Sequence, residues 1–249
     1  EFIVPSLCEM KEPEKIGIYS NSMNKLDVLH FNSDSLLYVK TLHFPLWNKQ
    51  RGIPKAYTRL IQYNDSLFIG TSFMPKEISV ELMNLKTEKV VNSVNFPLKP
   101  KEGEYSRPYE CKIATEMNFI VAAYRYINRL EIYKLSDQKF QLNTIIGDAN
   151  NQYDLYRLNK DNEMILHYSD IVCGKNQIYA LYRGVKEKEL SSANSKIEVY
   201  SYDGTHLRTF DLGRSIEKIL VDESSMRIYA FDRNEEKDIV FCYAIESNT

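Results

Sequence analysis

An all-β fold assembled from repeated four-stranded sheets is what the sequence predicts, on three observations. Apolar stretches of one kind open at Ile16, Leu67, Phe119, Ile178 and Ile228, spaced 51, 52, 59 and 50 residues apart. Around each lie further segments in which apolar and polar residues alternate, the period of a strand. Turn formers stand where hairpins need them, at NSD (32–34), KTE (86–88), SDQK (136–139) and DGT (203–205). One small sheet cannot bury both of its faces, whereas sheets stacked radially cover one another, and closing the ring protects their edges. The repeat therefore predicts a β-propeller of four-stranded antiparallel blades, a single domain over residues 1–249.

The strands follow in order. The first unit reads FIVPSLCEM, KIGIYS, KLDVLHF and SLLYVKTLHFP, and the second YTRLIQY, SLFIGT, EISVELM and EKVVNSVNFP. The third reads YECKIATEM, NFIVAAY, RLEIYKL and FQLNTIIG, and the fourth LHYSDIVC, QIYALY, KIEVYSY and HLRTFDLG. The fifth has SIEKILVDE, RIYAFD and DIVFCYAI, and the chain stops before a fourth strand. Residue 1 already enters the inner strand of the first unit. The expectation is five visible blades of a six-bladed ring whose N-terminal part, upstream of this chain, carries the rest.

Composition narrows the function classes. Of 249 residues, 43% are hydrophobic and 27% charged, the balance of a folded globular chain. Lysine and arginine number 32 against 34 for aspartate and glutamate, which gives no global pull toward nucleic acid. The longest apolar runs, FIVAAY and IVFCYAI, fall far short of the ~20 residues that span a bilayer. Cys8, Cys111, Cys173 and Cys242 stand in apolar strand contexts with no metal-ligand spacing and read as small buried hydrophobes.

Candidate functional residues come from strand parity. In a four-stranded blade, the loops between strands 2 and 3 share one side of the ring with the links between blades. That side collects the long irregular segments 46–56, 98–108, 148–163 and 183–196. They carry Trp47, Arg51, Tyr105, Arg107, Tyr153, Tyr156, Arg157 and Arg183. Arginine and aromatic side chains dominate binding hot spots, arginine forks pair with carboxylates, and loops on a rigid scaffold are where sites are built. This predicts a face that binds a partner protein or a glycan-like or anionic ligand. The inner strands, which would line the channel, offer Arg59, Glu110, His167 and Asp170 as polar candidates.

Catalytic signatures are missing: there is no GxSxG, HExxH, P-loop or GxGxxG. No cofactor is expected. The leading expectation is a non-catalytic binding or scaffold protein. The alternative is a metal-dependent hydrolase or lactonase-like enzyme with its site in the channel, where Glu110 and Asp170 alone would need much help from amides and water to hold a hard cation.

Taken together, NDSLFIGTSF, NRLEIYKLSD, the SDI and IYALYRG stretches and IEVYSYDGTHLRTFDLGRSI resemble the TolB-like six-bladed propeller family, abundant among exported proteins and lipoproteins of Bacteroides-type bacteria. The resemblance covers nearly the whole chain and transfers no catalytic residue. It implies a periplasmic or cell-surface location, with room for a lipid anchor upstream of this chain.

Overall fold

The computed structural model describes residues 6–20, 22–44, 57–72, 79–95, 111–147, 164–232 and 239–245, with the backbone alone at 47–48 and 53–54. The chain divides into two compact units, residues 1–100 with 136–140, and residues 101–135 with 141–249.

In the first unit, β1 (Ser6–Glu9), β2 (Lys15–Ser20), β3 (Lys25–Asn32) and β4 (Ser35–His43) form one antiparallel blade. Strands β5 (Trp47–Asn48) and β6 (Ile53–Pro54) make a minimal hairpin inside the segment expected to be irregular. A second blade comprises β7 (Tyr57–Gln62), β8 (Leu67–Ser72), β9 (Ser79–Asn84) and β10 (Lys89–Asn95). The inner strands β1 and β7 pair in parallel, Cys8 with Leu60 and Glu9 with Ile61, so the two blades merge into one eight-stranded sheet. Tyr19, Leu26, Val28, Phe44, Tyr57, Leu60 and Phe68 pack between them.

The second unit repeats the plan. Its blades are β11 (Cys111–Glu116) through β12 (Phe119–Tyr124), β13 (Arg129–Ser136) and β14 (Lys139–Gly147), then β15 (Ile165–Cys173) through β16 (Gln177–Lys186), β17 (Lys196–Ser201) and β18 (His206–Asp211). A three-stranded sheet of β19 (Lys218–Asp222), β20 (Arg227–Asp232) and β21 (Ile239–Ala244) follows, without a fourth strand among the described residues. One core joins the faces of the first two of these blades, and a second core, around Leu181, Ile197, Ile216 and Ile228, joins the last two.

Burial explains why the sequence reads as it does. The second strands β8 and β12 are covered on both faces and so are near-continuous apolar runs. Outer strands alternate, as in β10 and β18. Asparagine and aspartate open several hairpins by accepting backbone N–H bonds: Asn64 from Ser66 and Leu67, Asn84 from Lys86 and Thr87, Asp203 from Thr205. Asp137 and Gln138 both take positive φ, the geometry a two-residue hairpin requires.

A carboxylate recurs in register, buried at Glu81 and Glu131 and half-buried at Glu198. Glu81 on β9 stands opposite Gly70, Glu131 on β13 opposite Ala122, and Glu198 on β17 opposite Ala180. The small residue on the second strand opens a window. Through it, Tyr57 on β7 donates to Glu81 Oε2 at 2.9 Å, and Tyr168 on β15 donates to Glu198 Oε2 at 3.3 Å. A Cβ at Gly70 would lie 2.9 Å from Tyr57 Cδ1 and 2.8 Å from Leu60 Cδ2. Glu131 instead gathers Tyr124 and Tyr133, each at 2.5 Å, and the guanidinium of Arg129 at 2.5 and 2.7 Å.

Candidate functional site

The second unit carries a cavity of about 480 Å³. Its walls grow from two chain segments. One is the 187–195 loop between β16 and β17, which begins with a single 3-10 turn, Glu187–Glu189. The other is the 212–217 link from β18 to β19. Both belong to the set of connections that parity assigns to the loop-rich side. The link turns through Gly213, whose φ of +64° lies in the left-handed region, with its N–H donated to Asp211 Oδ1 at 2.8 Å.

Arg183 holds these walls together. The sequence reading puts it at the start of a loop, but β16 runs on to Lys186, and Arg183 sits within the strand with 7% of its surface exposed. The strand continues because Leu166 on β15 pairs with Val185, and Ile165 with Lys186. Arg183 Nη1 donates to the Ile216 carbonyl at 2.6 Å, and Nη2 reaches the Leu190 carbonyl and Ser215 Oγ. Ser215 Oγ donates in turn to the Leu190 carbonyl at 2.8 Å. Burial is the main pull on the guanidinium, drawing its pKa downward; Glu217 and then Asp232 oppose it, and Arg125 adds to it. Ser195, with no exposed surface, is the second tie: it accepts the Ile216 N–H at 2.7 Å and donates to the Ile216 carbonyl at 3.2 Å. Its own N–H donates to the Arg214 carbonyl at 2.7 Å.

The lining is charged and polar. Five cationic side chains, Lys112, Arg125, Arg183, Arg214 and Lys218, face two carboxylates, Glu217 and Asp232. Serines and an asparagine, among them Ser191, Ser192 and Asn194, fill most of the rest, and none of the described lining residues is aromatic. Arg214 is exposed, with Cζ 3.6 Å from the centre of the Phe241 ring, a cation–π contact. An excess of fixed positive charge in a concave wall attracts anions, and the serine and amide groups supply neutral hydrogen bonds around them.

The other candidates fall elsewhere. Asp170 is buried on β15, where Oδ2 accepts the Ile219 N–H at 3.0 Å and ties the inner strands of two blades. His167 is half-buried on the same strand, its ring centroid 6.0 Å from that of Tyr182, and its N–H donates to the Arg125 carbonyl at 2.6 Å. Neither lines the cavity. Arg59 belongs to the first unit, half-buried on β7 beside a register shift. Arg51, Tyr105, Arg107, Glu110, Tyr153, Tyr156 and Arg157 lie outside the described residues, as does the side chain of Trp47. Among the described residues, no group of three or more His, Cys, Asp or Glu is placed to hold a metal ion. Sequence reasoning also placed Lys112 among the polar residues of the inner strands but missed Arg125, Arg214 and Lys218. The available signal was position, since each stands at a strand end or in a link between strands on the loop-rich side.

Antiparallel blades of this kind, with a cavity walled by their connecting loops, define a β-propeller. The match to the TolB-like 6-blade propeller-like family spans residues 8–224, and the chain belongs to that family. Solved structures share the fold at low identity. The WD40 domain of Toxoplasma gondii coronin matches with a TM-score of 0.51 and 9% identity, over 88% of this chain and 50% of that one. The β-propeller domain of Cps50 (Swd1) from Myceliophteria thermophila gives 0.52 and 7%, over 88% and 64%. Kuenenia stuttgartiensis hydrazine synthase gives 0.51 and 8%, over 90% and 54%. This chain thus spans between half and two thirds of the length of these proteins. No curated protein matches it in sequence. Among the described residues, no helix is long and apolar enough to cross a membrane.

Proposed function

We propose that this chain is a non-catalytic binding propeller of the bacterial envelope, a single domain that takes an anionic ligand on its loop-rich side. Membership of the TolB-like family supports the envelope setting. One observation carries the ligand class: five cationic side chains against two carboxylates around a cavity of about 480 Å³. Among the described residues, the lining offers no aromatic ring on which a neutral sugar could stack. The ligand is a free anion or the acidic side chains of a partner protein, both of which such a field attracts.

Isothermal titration of the purified protein with citrate and with a short poly-glutamate peptide tests this at low ionic strength. Saturable binding by at least one is expected, weakened in the double variant Lys112→Ala/Lys218→Ala. Binding that is absent for both, or indifferent to the double variant, overturns the proposal.

A further inference from the structure

The cavity's charge is mixed, and the mixture points to a narrower ligand. A multiply charged anion such as pyrophosphate would place negative charge against Glu217 and Asp232, which line the same cavity as the cations. Like charges brought together in a partly desolvated site cost free energy. Carboxylates are nevertheless good acceptors for hydroxyl groups, and the exposed Ser191 and Asn194 add neutral donors and acceptors on the opposite wall. A ligand with one negative group and several hydroxyls satisfies both halves of such a lining.

Arg214 is the receptor for the negative group. Its guanidinium carbon lies 3.6 Å from the centre of the Phe241 ring, a cation–π contact that restrains the head group. No hydrogen-bond acceptor holds its side chain among the described residues. A guanidinium restrained against an aromatic ring loses less freedom on binding a carboxylate, which takes two parallel N–H bonds from its fork. Lys218, exposed at the start of β19, adds a second positive charge to the same lining.

We infer that the cavity binds a sugar acid, a polyhydroxylated monocarboxylate such as a uronate, with Arg214 taking the carboxylate and Glu217 and Asp232 taking hydroxyls. The inference rests on the anion-binding reading and narrows it. The same chemistry is presented by a free uronate and by a uronate residue at the end of an oligosaccharide.

Titration calorimetry with glucuronate, a uronate-terminated disaccharide, glucose, citrate and pyrophosphate separates the cases. At least one uronate probe is expected to bind about tenfold or more tighter than glucose and pyrophosphate, a difference within reach of a carboxylate–guanidinium pair. Tighter binding of the disaccharide than of glucuronate assigns the source to a glycan end, and the reverse to the free acid. Arg214→Ala is expected to weaken the uronate about tenfold, and Phe241→Leu to weaken it less while the charge is kept. Should Arg214→Ala unfold, Lys218→Ala and the ranking of ligands still decide. Pyrophosphate or citrate binding as tightly as the uronates overturns this inference and leaves the anion-binding reading intact. Failure of every anion to bind overturns both.

Discussion

Arg183 reaches three backbone carbonyls and a hydroxyl from a position almost without solvent contact. Truncation would leave the carbonyls of Ile216 and Leu190 without that donor and open space between the two walls of the cavity. Hydrogen bonds to charged groups contribute about 1.5–3 kcal/mol each, so Arg183→Ala is expected to cost about 3 kcal/mol of stability in urea denaturation. Arg183→Lys, which keeps the charge but loses the fork, should recover only part of it. A wild-type urea midpoint for Arg183→Ala would contradict this role. Asp222 offers a pH-dependent test. The hydroxyls of Ser224 and Ser225, helped by their amides, pull its carboxyl down to about 2. The folded value lies below the unfolded one, so its contribution is complete above about pH 4 and disappears as the pH falls toward 2. Asp222→Asn is therefore expected to lower Tm at pH 7, with the gap to wild type closing between about pH 4 and 2. A gap that stays constant over that range would refute the assignment.

The blades show how an element is specified by more than its apolar period. In two of them a tyrosine on the first strand crosses a glycine or alanine on the second to reach a glutamate on the third. Tyr57→Phe removes one donor from Glu81, itself buried, and is expected to cost about 1–3 kcal/mol by urea denaturation, since an under-satisfied buried charge keeps its desolvation penalty. A loss below about 0.5 kcal/mol would mean that the carboxylate's other partners, among them Ser79, which donates to Oε1 at 3.0 Å, suffice without it. None of this was apparent from the alternating pattern. A glutamate in LEIY or IEVY reads as the solvent-facing member of a half-exposed strand, and only the third dimension shows the tyrosine above it. Strand order and hairpin positions, by contrast, were readable because each depends on local features: period-two alternation, and Asn or Asp able to accept the N–H two residues on.

For the molecule as a whole, the repeat predicted the blade plan, down to a last sheet of three strands among the described residues. The site was only partly readable. Parity assigns both cavity walls to the loop-rich side, but side-chain type alone favoured aromatics and arginines in the longest loops. The cations that meet in the cavity come from shorter connections and strand ends, contributed by three blades, and their convergence depends on how those blades pack. Electrostatic binding there should weaken with ionic strength: citrate affinity is expected to fall several-fold between about 0.02 and 0.3 M salt, as the screening length shortens toward 6 Å, and an unchanged affinity would point to contacts of another kind. The tyrosine–glutamate pairs have an optical corollary. A phenol that donates to a carboxylate absorbs further to the red and fluoresces weakly, because the excited proton has an acceptor at hand. Tyr57, Tyr124 and Tyr168, placed in different blades of an 18-tyrosine chain, should brighten and shift to the blue as their blades come apart. The protein thus carries a built-in dye for its own unfolding, one that phenylalanine substitutions can silence blade by blade.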